Sequence, residues 1–295
     1  MSQVDAARLG VPPGSPGGPG GRRRALRNPS LLVGGLLVGL VVAAALVSYV
    51  WLPHDPLRVD GTVRLQGPSS EHWLGTDRFG RDVLSRVLVG ARTTLYVGVV
   101  AVGVAALIGV PLGIVAAMAR PWAGAVVMRG ADILLAFPAL LLAIMFSAVF
   151  GGSTLTAMIA IGIASIPTFA RVVRAGALQV LGTDYALAAR AAGRRPVAIA
   201  WRHVLPGVGS ILIVQASVAF AIAILAEAAL SFLGLGTPPP TPSWGLMLQE
   251  SQPLLFMAPL LTIVPGTAIA LAVLGFNLLG DGLRDVLDPR LEDRR

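Results

Sequence analysis

Thr183-Asp184-Tyr185-Ala186-Leu187-Ala188-Ala189-Arg190-Ala191-Ala192-Gly193 runs on through Pro196 to Leu205-Pro206, a polar, arginine-bearing stretch between two long apolar runs. Thr183 or Asp184 can open a helix by accepting a backbone N–H bond. Tyr185, Ala188, Ala189 and Ala192 recur at i, i+3, i+4 and i+7, a narrow face of mostly small residues. Arg190 and Arg194 lie off that face. Gly193 suits the left-handed position past a helix end, and Pro196 can open the next helix. Pro206 is expected to stop it, because the residue before a proline is pushed out of the helical region. The stretch therefore reads as a short helix, a glycine elbow and a second short helix. On these residues alone it is either a docking surface for a soluble protein or an ordinary loop with a surface helix.

The flanking runs decide the class. The chain has 295 residues, 55% of them hydrophobic and 13% charged, with a mean hydropathy of +0.77. This is the composition of an all-α integral membrane protein. A spanning helix needs about 20 mostly apolar residues. Six spans are expected, roughly 30–51, 93–118, 131–150, 154–174, 208–234 and 259–280, with Gly151-Gly152-Ser153 separating the third from the fourth. The organisation follows: a disordered tail over 1–28, a first span and outer segment over 29–70, a core of five spans over 71–280, and a tail over 281–295.

Arginine sets the orientation. The chain has no lysine, so all 23 basic residues are arginine, and 17 of them fall on the side that holds both tails, the 119–130 turn and the 171–207 loop. Six fall on the other side, all within 52–92, where five acids offset them. Cytoplasmic loops carry the basic excess, so both termini and the 183–206 module are expected in the cytoplasm. Arg22-Arg23-Arg24 serves as a topology anchor or touches anionic lipid. The net charge of +8 follows this topology and implies no nucleic acid.

Enzymatic chemistry is poorly supplied. Without lysine there is no Walker A phosphate loop, so any ATP is bound by another subunit. Without cysteine there is no thiolate site. His54, His72 and His203 are scattered, and no metal, cofactor or nucleophile–base pair is expected. Asp77, Arg81 and Asp82 read as salt bridges at the outer membrane surface. Trp244, after a stiff proline-rich stretch, reads as a headgroup anchor or a contact for an outer protein. Pro111, Pro138, Pro167 and Pro265 fall within spans and can kink them. Gly98, Gly103, Gly109 and Gly162 allow helices to approach closely. Glu227 sits near the middle of a span, where a carboxylate is costly unless paired. It either contacts a solute or a gate, or bonds a hydroxyl or backbone group at an interface with a partner chain.

Ala188-Ala189-x3-Gly193 with Leu205-Pro206 resembles the EAA loop of bacterial ABC-importer permeases. Leu187 stands where that motif has glutamate, and His203 where it has isoleucine. Leu74-Gly75-Thr76-Asp77-Arg78-Phe79-Gly80-Arg81-Asp82-Val83-Leu84-Ser85-Arg86 looks like the segment before the second span of the C-type permeases of dipeptide, oligopeptide and nickel importers. Glu227-Ala228-Ala229-Leu230-Ser231-Phe232-Leu233-Gly234-Leu235-Gly236 with Pro242-Ser243-Trp244-Gly245 resembles their fifth span and outer loop. Gly280-Asp281-Gly282-Leu283-Arg284-Asp285-Val286-Leu287-Asp288-Pro289-Arg290 resembles their C-terminal signature. Together these segments cover 71–295 in family order.

The resemblance implies a type I ABC importer permease fold with cytoplasmic coupling helices, in a bacterial plasma membrane. It implies Asp184, Tyr185, Ala188, Ala189, Gly193, Leu205 and Pro206 as the ATPase-coupling loop. The implied partners are a homologous permease, two cytoplasmic ATP-binding subunits and an extracytoplasmic substrate-binding protein, with a peptide as cargo. A permease for nickel or another small solute is the alternative. A membrane scaffold that recruits a cytosolic partner is the rival of another class.

Overall fold

The structure is a computed structural model and describes residues 28–287. The arginine run of the N-terminal tail and the last residues of the C-terminal signature lie outside the described residues. The described chain is helical, with no strand beyond a single bridge between Thr76 and Asp82.

The helices are α1 (Pro29–Val50), α2 (Val83–Met118), α3 (Pro121–Leu135), α4 (Ala139–Phe150), α5 (Thr154–Leu181), α6 (Asp184–Ala191), α7 (Pro196–Ile199), α8 (Gly209–Phe232), α9 (Trp244–Ser251) and α10 (Leu260–Leu287). Five are long and apolar enough to cross a membrane, and α3 with α4 makes a sixth, broken span. α1 and α8 lie close to the expected spans, and α5 runs past its expected end at 174 to Leu181. α2 starts ten residues earlier than expected. Its 36 residues extend about 54 Å at 1.5 Å per residue, more than the ~30 Å hydrocarbon core. The amphipathic start of α2 therefore projects beyond the apolar layer in line with the span. α10 likewise continues past 280 to Leu287.

The third span differs most. The sequence predicts one helix over 131–150, whereas α3 and α4 meet at 79°. Pro138 causes the break: it is the residue before α4 and has an extended backbone, with ψ at 127°. Its ring cannot follow the α3 turn, and it has no N–H for the preceding ladder. Pro111, Pro167 and Pro265 stay inside continuous helices.

Packing relies on small residues. A Cβ on Gly109 of α2 would meet Phe169 Cβ of α5 at 2.6 Å, and one on Gly162 of α5 would meet the Ala101 carbonyl of α2 at 2.9 Å. Gly98 accepts the ring of Phe220 from α8, while Gly103 faces open space and supports no contact. One apolar core joins α1, α2, α8, α9 and α10; a second joins α2, α4, α5 and α8. The spanning helices expose Leu36, Leu40, Leu107 and Ile263, and the broken span exposes Val149, each more than half exposed. Such faces suit a hydrocarbon surround.

Candidate functional site

Two regions, at opposite ends of α2, carry the polar residues singled out above. At the C-terminal end of α2, Ile114, Ala117 and Met118 pack with Ala177, Val180 and Leu181 of α5 and with Ile199, Val204 and Val208. This apolar cluster is the seat of the 183–206 module.

The module is built as its turn chemistry dictates. Thr183 stands at the cap position of α6, but its side chain does not cap the helix. Its hydroxyl instead donates to the Val180 carbonyl at 2.6 Å. At the other end Gly193 has φ +73°. The Gly193 amide donates to the Arg190 carbonyl at 2.9 Å, and the Arg194 amide to the Ala189 carbonyl at 3.1 Å. This pair of bonds is a Schellman closure, which needs a left-handed residue at its corner. The elbow is therefore fixed by backbone bonds, and Gly193 serves it because a side chain there would strain the turn.

Pro206 does not stop the second helix. Leu205 keeps helical angles, φ −59° and ψ −46°, and the helix proceeds from α7 through a wide π turn (Ala200–Val204) into Leu205–Gly207. The Leu205 amide bonds the Ala200 carbonyl, five residues back. Pro206 brings no N–H, so widening the preceding turn accommodates its ring without ending the helix. The break comes two residues later, at Val208.

The exposed side of the module differs from the face read off the sequence. Ala186 is fully buried and Ala189 is partly buried against the cluster below. Asp184, Tyr185, Leu187, Ala188, Ala192, Gly193 and Pro206 are exposed, and Leu205 is half-buried. The sequence reading missed Val197 and Trp201, each 69% exposed and ringed by the exposed Arg194, Arg195 and Arg202. Their i, i+4 spacing on an arginine-rich helix was the available signal. Tyr185 and His203 hold the two arms together, with ring centroids 5.6 Å apart. The result is an apolar knuckle with a basic rim, supported from behind by a dry core.

The second region caps the N-terminal end of α2. Asp77, Arg81, Arg86 and Glu250 form one buried network. Arg81 Nε donates to Asp77 Oδ2 at 2.6 Å, and its terminal nitrogen to Glu250 Oε2 at 2.7 Å. Arg86 donates to the same two oxygens at 3.1 and 2.7 Å. The expected surface salt bridges are thus buried, and two of the four members, Arg86 and Glu250, had not been paired with them. α9 brings Glu250 there by packing across α2. Trp244 belongs to that packing. It is 2% exposed, rests on Gly90 and donates from its indole to the Val87 carbonyl at 3.0 Å, so it is no headgroup anchor. Asp82 stands apart from the network, capping α2 through Ser85 N–H at 2.8 Å and meeting His72 Nδ1 at 2.9 Å. His54 lies beside His72, with ring centroids 4.4 Å apart, so these two histidines are not scattered in space.

Glu227 is 1% exposed within this chain. Its Oε1 accepts from Ser231 at 2.6 Å and from Thr237 at 3.2 Å. Ser231 Oγ in turn accepts the Thr237 amide at 2.9 Å. The carboxylate pins the loop after α8 to its parent helix. Contact with a solute or a partner would require that loop to move.

The sequence and the fold match known proteins. Residues 109–293 match the family described as binding-protein-dependent transport system inner membrane component. The chain belongs to this family. A glutathione transport system permease protein, GsiD of Pectobacterium atrosepticum, is 44% identical over 92% of this chain and 90% of its own length. A dipeptide transport system permease protein, DppC of Alkalihalophilus pseudofirmus, is 41% identical over 90% of this chain and 88% of its own. An inward-facing structure of the MetNI methionine ABC transporter shares the fold, with a TM-score of 0.56 at 21% identity. It covers 68% of this chain and 96% of the matched chain. As an inner membrane component the chain is a multi-pass permease subunit and not an enzyme, and both regions described above are parts of a transport machine.

Proposed function

We propose that this permease subunit carries peptides inward as part of a type I ABC importer. The observation that carries this reading is the knuckle formed by α6, Gly193 and α7. It projects Tyr185, Ala188, Val197 and Trp201 outward while Ala186, Ile199 and Val204 anchor it in the core. An exposed apolar patch rimmed by cations marks a protein-docking site, and the docked protein is a cytoplasmic ATP-binding subunit. A homologous permease completes the pathway, and an extracytoplasmic binding protein delivers the cargo. The glutathione and dipeptide relatives support a short peptide as that cargo. The arginine distribution supports cytoplasmic placement of both termini and of the knuckle.

The mechanism is mechanical. Closure of the ATP-binding subunits displaces the knuckle, and the buried Ile199, Val204 and Val208 pass the displacement to α5 and α8. ATP shifts the inward-open and outward-open populations only as far as the two states differ in contact with those subunits. Cells expressing the chain with a partner permease, ATP-binding subunits and a binding protein are expected to accumulate labelled dipeptide. Trp201→Glu is expected to abolish uptake and release the ATP-binding subunits on copurification, with normal amounts of permease in the membrane. Uptake by Trp201→Glu at the wild-type rate would refute the docking assignment. Uptake of nickel without peptide would reassign the cargo.

A further inference from the structure

The cap over α2 holds a cluster that solute passage and ATP coupling leave unused. His54 follows α1 closely, whereas Glu71 and His72 sit at the far end of the 51–82 segment. One donor atom from each of the three lies within 4.8 Å of the other two. Both histidine backbones are pinned. The His54 amide donates to Ser85 Oγ at 3.1 Å, and the His72 amide to Ser69 Oγ at 3.0 Å. The His72 carbonyl accepts the amides of Ser69 and Gly75, each at 2.9 Å.

The ring chemistry is also arranged. His72 is 6% exposed, and Asp82 holds its Nδ1 at 2.9 Å. A carboxylate on one ring nitrogen fixes the tautomer and leaves the other, Nε2, as a lone-pair donor. Asp82 is itself immobilised by its bond from the Ser85 amide. His54 Nδ1 is buried with no hydrogen-bond partner. Its nearest acid oxygen, on Asp82, is 3.7 Å away, too far for a hydrogen bond. Glu71 is exposed and free to turn inward.

We propose that His54, Glu71 and His72 bind one divalent transition cation of the zinc class. Two imidazoles and one carboxylate, without thiolate, are ligands that Zn²⁺ accepts, with a water in its fourth position. Tetrahedral donors stand about 3.4 Å apart, so no pair of the three atoms has to close by more than about 1.4 Å. The bound cation would staple the exit of α1 to the entry of α2 and stiffen the cap opposite the knuckle. The site lies at the end of α2 opposite the knuckle.

The test uses the full chain in detergent, without a polyhistidine tag, stripped with EDTA and titrated with Zn²⁺ by calorimetry. One Zn²⁺ per chain is expected. Glu71→Gln alters an exposed side chain and spares the fold, and the His54→Gln/Glu71→Gln pair is expected to lose stoichiometric binding. Asp82→Asn is expected to weaken binding about 10- to 100-fold, as loss of an outer carboxylate does elsewhere. Thermal unfolding without metal checks that each variant is folded. Wild-type chain that takes up no stoichiometric Zn²⁺, or Glu71→Gln and the pair binding it like wild type, would overturn the proposal.

Discussion

Arg86 heads the largest side chains that the fold buries almost completely. A guanidinium there survives because it donates to both Asp77 and Glu250, and Arg81 shares the same two oxygens. Two cations and two anions alternate, so no charge is left alone. Removing one member leaves an uncompensated buried charge, which costs about 3–5 kcal/mol. Arg86→Met is therefore expected to lower the thermal midpoint in detergent sharply, and adding Glu250→Gln to recover part of the loss. A double-mutant cycle on the unfolding midpoints measures that coupling. Glu227 is governed by hydrogen bonding instead. Glu227→Gln keeps an acceptor for Ser231 and Thr237 and is expected to change stability little. Glu227→Ala strands two hydroxyls, at about 1–3 kcal/mol, and the same unfolding assay separates the two variants. Asp77 and Arg81 were legible as salt-bridge members because they lie in one short charged turn, whereas Asp82, read with them, caps α2 instead. Glu250 was not, since its partner Arg86 lies 164 positions away and the packing of α9 on α2 joins them. His54 and His72 were hidden for the same reason. Seventeen residues of mostly irregular chain separate them, and only the folded cap shows their rings 4.4 Å apart.

Local turn chemistry made the knuckle readable at the scale of elements. The left-handed corner at Gly193, the proline start at Pro196 and the helix before them all follow from residues within a few positions. Pro206 misled because a proline forbids a hydrogen bond but leaves open how the chain absorbs the loss, and a π turn absorbs it here. Ala189 was also misplaced. Alanine is equally at home on either face, so spacing alone cannot separate Ala189 from Ala188 and Ala192. The elbow itself can be tested by conformational preference. No atom lies within 4 Å of a Cβ built on Gly193, so a substitution meets strain and no clash. Asparagine tolerates left-handed angles and β-branched residues do not. Gly193→Asn is expected to retain most uptake, while Gly193→Val loses it through a distorted elbow at normal membrane abundance. Equal uptake by both variants would show that the elbow angle does not matter to coupling.

The whole molecule has two ends with different tasks, joined by helices packed at glycine distance. The knuckle hangs from the C-terminal ends of α2 and α5. The 51–82 cap and α9 cover the N-terminal end of α2. Number and order of the apolar runs were legible in the sequence because a bilayer demands long uninterrupted helices. The 79° break between α3 and α4 was not, since Pro138 resembles the other intramembrane prolines that leave their helices continuous. Orientation rests on arginine asymmetry alone, and the 52–92 segment dilutes it with six arginines of its own. The chain offers a clean test because it has no cysteine. Gly67 and Ala192 are both exposed, one in the cap and one at the knuckle. A membrane-impermeant maleimide applied to intact spheroplasts is expected to label Gly67→Cys and to spare Ala192→Cys. In inside-out vesicles the pattern is expected to reverse. If Ala192→Cys reacts from outside, the knuckle faces away from ATP, and the docking of an ATP-binding subunit at Trp201 fails with it.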